Sequence, residues 1–267
     1  MIGVFDSGLG GLSVLAALIE ALPHTDFIYF ADTAHLPYGN KNERTIQARV
    51  LAIGRYLIDQ GCTLLVVACN TATAAAVSAL RAAHPGLPVV GVEPGVKPAA
   101  QHSRTRRIAI LATEATSRSH RLAQLIQRHA QHVEVFVEPC PGWATQIETL
   151  RLDAPTLLDD ARMRIEPLLQ KNVDRFVLGC THYSFLAPML NTLIGSPAHL
   201  GAQLVDVATA VARQTQRLAH AAPMPTSQGH IALHASAFPE KLHAALPHLH
   251  LTHIARRIDT PPRLAIC

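Results

Sequence analysis

The sequence contains no apolar run of the length that a membrane-spanning helix needs, and no basic and then apolar leader precedes its first strand-like segment. Charged residues make up only 16% of the chain, whereas hydrophobic residues make up 49%. This balance is typical of an ordered globular protein and argues against a disordered one. We therefore expect a cytoplasmic protein without a membrane segment, long enough at 267 residues for two modest domains.

Cysteine is scarce, with five residues at positions 62, 69, 140, 180 and 267. An odd number without tight spacing argues against a disulfide framework and against a zinc ribbon. The histidines at 248, 250 and 253 have no cysteine or carboxylate partners at ligand spacing, so the sequence predicts no metal site. The thiols are therefore expected to be free.

A dominant charge is also missing, since 23 basic and 19 acidic residues give a net charge of +4. The densest basic run, from Ser103 to Arg107, is interpreted as a solvated connector, so nucleic-acid binding is not predicted. A mildly positive surface suits a small acidic substrate without requiring one.

Two cysteines stand where a buried strand is followed by small polar residues. The apolar run from Leu64 to Val67 predicts a parallel strand that leads to Cys69, and the alanine-rich run after Cys69 predicts a helix capped by Asn70 and Thr71. The segment before Cys180 repeats this pattern. Ligands of open α/β sheets bind at the carboxyl ends of strands, and a helix N-terminus favours a thiolate. One such cysteine alone is more often a small buried hydrophobe, but two delivered alike suggest a working pair.

The strand pattern repeats at a nearly constant spacing. Offsets of 107, 111 and 113 residues relate three pairs of strand ends: Asp6 with Thr113, Cys69 with Cys180, and Glu93 with Asp206. Any chain of alternating strands and helices shows some rhythm, but cysteine at the same strand end of both halves is less easily dismissed. The pattern predicts two similar doubly wound α/β domains, one of residues 1–98 plus 207–267 and one of residues 99–206.

A glycine-rich loop, Ser7 to Gly11, follows the first strand and its final Asp6. A dinucleotide fingerprint would need glycine at position 13, where Ser13 stands, and Asp6 places a negative charge where a pyrophosphate would lie. We expect these glycines to let a ligand approach backbone N–H groups. A non-catalytic nucleotide-binding protein stays open as an alternative.

Two thiols that face each other across a ligand can invert a stereocentre. One thiolate removes the proton from a carbon acid and the opposite thiol returns one to the other face, with no metal and no organic cofactor. Asp6 near Cys69, and His182 two residues after Cys180, can tune the thiols. Further hydrogen-bond donors for substrate carboxylates are available, although each could equally cap a helix: Ser7, Asn70, Thr71, Thr113, Thr116 and Thr181.

From residue 2 to about 212, the chain resembles the bacterial glutamate racemases. The resemblance is specific because six motifs occur in the family's order: Ile2 to Val14, Ala31 to Thr33, Pro37 to Lys41, Ala68 to Ala72, Gly91 to Pro94 and Leu178 to Tyr183. It implies cofactor-independent interconversion of L- and D-glutamate, which supplies D-glutamate for peptidoglycan. It also implies two α/β domains related by pseudo-twofold symmetry, an active site in the cleft between them, a last segment that returns to the first domain, and a homodimer.

The resemblance also implies roles for individual residues. Cys69 would serve the D-enantiomer and Cys180 the L-enantiomer, while Asp6, Glu148 and His182 match the assisting acid–base residues. The positions that match substrate contacts are Asp6, Ser7, Tyr38, Gly39, Asn70, Thr71, Thr113, Thr116, Thr181 and His182.

The chain departs from the family pattern in two places. The run from Cys140 to Thr145, before Glu148, replaces bulkier apolar residues and a proline, and Ser184 replaces a common proline. These departures concern the pocket wall and leave both cysteines in place. Racemisation of aspartate or of another acidic carbon acid stays open as an alternative.

Overall fold

Strands and helices alternate through most of the computed structural model, which describes residues 1–195, 201–221, 227–265 and 267. The strands are β1 Ile2–Asp6, β2 Phe27–Ala31, β3 Leu64–Val67, β4 Val89–Gly91, β5 Arg107–Ala112, β6 Glu134–Pro139, β7 Arg175–Leu178, β8 Gln203–Val205, β9 Ile231–Ala235 and β10 Arg263–Leu264. The helices are α1 Leu12–Ala21, α2 Glu43–Asp59, α3 Asn70–Ala83, α4 Val96–His102, α5 Glu114–Ser117, α6 His120–His129, α7 Trp143–Glu148, α8 Pro155–Gln170, α9 Ala187–Ile194, α10 Ala208–Ala221, α11 Pro239–His248 and α12 Thr252–Ala255. Short 3₁₀ helices cover Thr33–His35, Tyr38–Asn40 and Thr181–Leu186.

The strands form two parallel sheets. The first has the order β10-β9-β2-β1-β3-β4 and the second has the order β6-β5-β7-β8. The strands β2-β1-β3-β4 of the first sheet therefore have the same arrangement as the whole second sheet. We call the first sheet with its helices the first unit, and the second sheet with its helices the second unit. The predicted fold class of two similar α/β units is confirmed, while the exact domain boundaries stay a prediction.

Alternate residues of each strand point to opposite faces of the sheet, and helices cover both faces, as parallel sheets require. In the first unit Val4 packs in the core that includes α1 and α10, and its neighbour Phe5 packs against α2 and α3. In the second unit Leu111 packs with α8 and α9, and Ile110 packs with α4 and α6. One of these cores continues from the first unit into the second, so the two units share buried apolar contacts.

The segment after the second sheet returns to the first one. Strand β9 pairs in parallel with β2, where Ala232 lies opposite Ile28, and β10 pairs with β9 at the edge. Helix α10 packs against α1. None of the helices in the described residues combines the length and apolarity that crossing a lipid bilayer requires.

Candidate active site

Cys69 lies two residues beyond β3 and is the N-cap of α3. Its backbone is extended, with φ −127° and ψ 121°, and its sulfur accepts a hydrogen bond from the N–H of Ala72 at 3.5 Å. The sequence had predicted Asn70 and Thr71 as the capping residues, but both already have helical positions, so the cap is the cysteine itself. The thiol is thereby fixed at the carboxyl end of the first sheet.

Cys180 occupies the corresponding place in the second unit, two residues beyond β7. Its backbone is also extended, and it precedes the 3₁₀ helix Thr181–Leu186. Cys69 and Cys180 are 6% and 7% exposed, and both line one cavity of about 320 Å³ between the two units. The structure therefore brings the two predicted thiols to one cavity, and their action as a pair stays a prediction.

Most of the predicted site residues line this cavity. Those that line it are Ser7, Tyr38, Gly39, Cys69, Asn70, Thr71, Thr113, Glu148, Cys180 and His182. Asp6, Thr116 and Thr181 are absent from the cavity wall and lie behind it, hydrogen-bonded to side chains around the cavity or to each other. The structure thus brings all thirteen predicted residues to one region, ten of them on the surface of the cavity.

A chain of hydrogen bonds leads from Cys69 into the protein. The thiol donates to Ser7 Oγ at 3.9 Å, and Ser7 donates to Asp6 Oδ1 at 3.1 Å. Asp6 also accepts from the Gly8 N–H at 2.8 Å and from Thr181 Oγ1 at 2.9 Å. Asp6 is fully buried, and this burial raises the pKa of its carboxyl group, although the nearby His182 opposes the effect.

The thiolate that the helix position of Cys69 led us to expect is not the favoured form in this structure. Burial raises the pKa of the Cys69 thiol well above its ordinary value, and the charge of Asp6 adds to the effect. The Ala72 N–H lowers this pKa, but by less than burial raises it. The reason is that the helix start supplies a dipole, whereas the surrounding side chains remove the water that would solvate a thiolate.

On the other side of the cavity, Cys180 contacts a histidine–carboxylate pair. The Cys180 sulfur lies 3.6 Å from His182 Nδ1, and His182 Nε2 lies 2.5 Å from Glu148 Oε1. Burial alone lowers the pKa of His182, but the charge of Cys180 as a thiolate and the hydrogen bonds to Cys180 and Glu148 outweigh it and hold this pKa well above its ordinary value. The imidazole is therefore stabilised in its protonated form.

The glycine-rich loop packs against side chains of the second unit, and the approach of a ligand to its backbone stays a prediction. A Cβ atom at Gly8 would lie 2.0 Å from Glu148 Oε1, and one at Gly10 would lie 2.4 Å from His182 Nδ1. The Leu9 N–H donates to Glu148 Oε1 at 2.7 Å. The glycines therefore make room for two side chains of the second unit, and the Leu9 N–H binds a carboxylate of the protein.

Asn70 lines the cavity, and the polar atoms of its side chain are buried without partners in the part of the chain that the structure describes. Its side chain is 4% exposed, and among the described residues neither its oxygen nor its nitrogen has a hydrogen-bond partner. The neighbouring Thr71 Oγ1 lies 3.1 Å from Thr113 Oγ1 and 3.3 Å from Thr116 Oγ1, which belong to the second unit. A buried amide without partners is costly, so this site favours a polar ligand.

Two features of the site were not among the predicted site residues: the thiol of Cys140, which belongs to the predicted pocket wall, and Arg49, which lies behind the predicted Tyr38. Cys140 supplies a third lining thiol, and its position directly after β6 is the signal that could have identified it. Tyr38 also lines the cavity and donates its hydroxyl to Asp32 at 2.6 Å, and Asp32 accepts two further bonds from Arg49 at 2.9 Å each. No periodicity in the sequence connects Arg49 to this wall.

Comparisons with known proteins agree with one another. The family model described as Asp/Glu/Hydantoin racemase matches residues 2–215. The glutamate racemase of Methylococcus capsulatus is 46% identical over 216 residues, which cover 81% of this chain and 78% of that protein. The glutamate racemase of Pseudomonas aeruginosa is 44% identical over 249 residues, covering 92% of each chain. The crystal structure of Escherichia coli glutamate racemase with L-glutamate and an activator matches with a TM-score of 0.84 and 32% identity, covering 100% of this chain and 98% of that one.

Proposed function

The chain belongs to the Asp/Glu/Hydantoin racemase family, and on this premise we propose that it interconverts L- and D-glutamate by a two-cysteine mechanism. The observation that carries the proposal is the placement of Cys69 and Cys180. Two buried thiols, delivered by matching strand ends of two similar units, line the same cavity.

The reaction requires one proton to leave the Cα of glutamate and another to arrive on the opposite face. A thiolate on one side takes the α-proton, the electron pair remains on the carbanion, and the thiol on the other side donates its proton to Cα. After the step, the cysteine that began as a thiolate is a thiol, and the opposite cysteine is a thiolate. In agreement with the resemblance, Cys180 is assigned to L-glutamate and Cys69 to D-glutamate.

The two thiols have different assistants. The protonated imidazole of His182, held by Glu148, stabilises a thiolate at Cys180 and adjusts its hydrogen bond to the sulfur as the proton moves. On the other side, Asp6 acts on Cys69 through the hydroxyl of Ser7. Because burial raises its pKa, Asp6 holds a proton more readily than an exposed aspartate does.

The substrate carboxylates are assigned to the polar wall. Asn70, Thr71 and Thr113 line the cavity and carry an amide and two hydroxyl groups, and α3 begins directly after Cys69 at the same wall. The further contacts implied by the resemblance are Asp6, Ser7, Tyr38, Gly39, Thr116, Thr181 and His182. Supply of D-glutamate to peptidoglycan, a cytoplasmic location and a homodimer are part of the same proposal.

The first test follows the α-proton. Purified protein incubated with L-glutamate in D₂O should yield D-glutamate that carries deuterium at Cα, observed by chiral chromatography and mass spectrometry. L-Aspartate in a parallel reaction tests the alternative substrate. If glutamate shows neither inversion nor exchange, the proposed function is wrong.

The second test separates the two thiols from a buried cysteine outside the site. Cys69→Ala and Cys180→Ala should each abolish racemisation, because each removes the group that exchanges a proton with Cα on its side. Cys62→Ala is the matched control, since Cys62 is 3% exposed and burial raises its pKa to about 12, yet it does not line the cavity. Full activity in either site variant would remove that thiol from the mechanism.

A further inference from the structure

Trp143, the only tryptophan of the chain, is the first residue of the short helix that ends at Glu148. The residue before it, Gly142, has a left-handed backbone with φ +82°, which turns the chain sharply into α7. Trp143 is 1% exposed and does not line the cavity. Its ring is therefore part of the support of the site rather than of the binding surface.

The indole makes two specific contacts. Its ring packs edge-on against Tyr183, with the ring centroids 5.1 Å apart and an interplanar angle of 64°. Its N–H donates to Asp160 Oδ2 at 2.7 Å. The Tyr183 hydroxyl donates to the carbonyl of Cys140 at 3.0 Å, so the edge-on pair of Trp143 and Tyr183 also fixes the segment before α7.

Asp160 is itself held rigidly. Arg164 donates to both of its carboxylate oxygens, at 2.7 and 3.1 Å, and also contacts Glu138 at 2.8 Å and the Pro139 carbonyl at 2.6 Å. The bonds from Arg164 are the main cause of the lowered pKa of Asp160, which therefore accepts from the indole as a carboxylate. Such a charge-assisted bond is stronger and more directional than a neutral one.

These contacts join two separate segments of the second unit. Tyr183 directly follows His182 in the 3₁₀ helix after Cys180, whereas Glu148 lies at the end of α7. The only direct bond between the two functional side chains is the 2.5 Å contact of Glu148 Oε1 with His182 Nε2. We propose that Trp143 is a positioning residue that holds Glu148 against His182 by binding α7 to the segment that carries the histidine.

The same carboxylate oxygen also accepts the Leu9 N–H from the first unit at 2.7 Å. When α7 loosens, Glu148 keeps this bond from the first unit while its contact with His182 lengthens. Because Glu148 raises the pKa of His182 both by its hydrogen bond and by its charge, a longer contact lowers that pKa. This consequence distinguishes positioning from a general loss of stability.

The inference rests on the proposed function and can be tested with three variants. Trp143→Leu removes both the ring contact and the N–H, and Trp143→Phe keeps a ring on Tyr183 but loses the N–H. The matched control is Tyr56→Leu, because Tyr56 makes an equivalent edge-on contact with Phe30, at 5.5 Å, and a hydrogen bond to His234, at 2.9 Å, away from the cavity. The measurements are kcat, KM, thermal stability and the His182 pKa from ¹⁵N-histidine NMR, assigned with His182→Asn.

Trp143→Leu should lower kcat on the order of ten- to a hundredfold and leave KM for glutamate nearly unchanged. The reason is that the displaced group, the Glu148 carboxylate, supports the chemical step through His182 and is not assigned a contact with the substrate. The His182 pKa should fall, and Trp143→Phe should lie between Trp143→Leu and wild type in both measurements. Tyr56→Leu should lower the melting temperature without changing kcat or the His182 pKa.

Folded Trp143→Leu with wild-type kcat and wild-type His182 pKa would overturn the inference. If Trp143→Leu does not fold, Trp143→Phe decides the question, and an unchanged His182 pKa in that variant counts against positioning. Wild-type protein that fails to racemise glutamate would refute the proposed function instead, and the NMR measurement would still report on the contact between Glu148 and His182.

Discussion

At the scale of single residues, burial determines the charge states around the cavity. Asp6 has no exposed surface, and the resulting loss of hydration raises its pKa above its ordinary value of 3.8. A carboxyl group with a raised pKa in the folded state stabilises the fold only while it is protonated. Its contribution is fully present below pH 3.8 and is lost as the pH rises through the raised value.

Asp6→Asn should therefore raise the free energy of unfolding at pH 7 by about 1 kcal/mol while it strongly lowers kcat. The amide oxygen can still accept the Gly8 N–H, whereas the cost of a buried charge disappears. Denaturant unfolding of wild type and variant between pH 3 and pH 8 tests this. The stability gain should grow as the pH rises from about 4, and a difference that does not vary with pH would contradict the explanation.

The sequence located the two thiols but not their ionisation. An apolar run followed by cysteine and small polar residues predicts a strand end, and both Cys69 and Cys180 lie there. The raised pKa of Cys69 depends on side chains from distant segments that exclude water, and no local pattern shows them. The same holds for Asp32 and Arg49, which meet only because of the tertiary fold.

At the scale of elements, the loop after β1 needs glycine, because a side chain at Gly8 or Gly10 would clash with Glu148 or His182. Gly8→Ala should displace Glu148, because the new Cβ would lie 2.0 Å from its Oε1 and the backbone cannot move without disturbing the Leu9 bond. We expect a fall in kcat of at least about tenfold together with a loss of thermal stability.

Gly86→Ala is the matched control for this prediction, since a Cβ at Gly86 would meet no atom within 4 Å. It should leave kcat unchanged, with stability equal or slightly higher because the unfolded chain loses freedom. Steady-state kinetics and thermal melting of both variants provide the comparison. Equal effects of the two substitutions would show that the loop tolerates side chains.

Strand positions and strand ends could be predicted because each buried strand is a short apolar run between helical patterns. The function of the glycine-rich loop could not be predicted, since the nearest side chains, Glu148 and His182, are far away in sequence. Trp143 likewise stood out only as a departure from the family pattern. Its partners Tyr183 and Asp160 became visible only in the folded second unit.

At the scale of the whole molecule, the two units meet through hydrogen bonds around the cavity. Leu9 binds Glu148, Thr181 binds Asp6, and Thr71 binds Thr113, each across the boundary between the units. The repeated spacing predicted two similar units, and their equal strand order confirms it. How the units face each other came from the resemblance, because spacing alone carries no information about orientation.

A ligand that binds between the units should stabilise both together. Glutamate at a hundredfold excess over its Kd should raise the free energy of unfolding by about 2.7 kcal/mol. Hydrogen exchange followed by mass spectrometry should show added protection in β3 and in β7, since both strands end at the cavity. Protection confined to one sheet would place the ligand on one unit alone.

The oxygen shared by Leu9 and His182 has a consequence for turnover. A single atom of Glu148 joins the backbone of one unit to the imidazole of the other. Any hinge motion that parts the units to admit or release a ligand must stretch one of these two links. Opening the cleft would therefore change the hydrogen-bond partners of Glu148, and closing it would restore them.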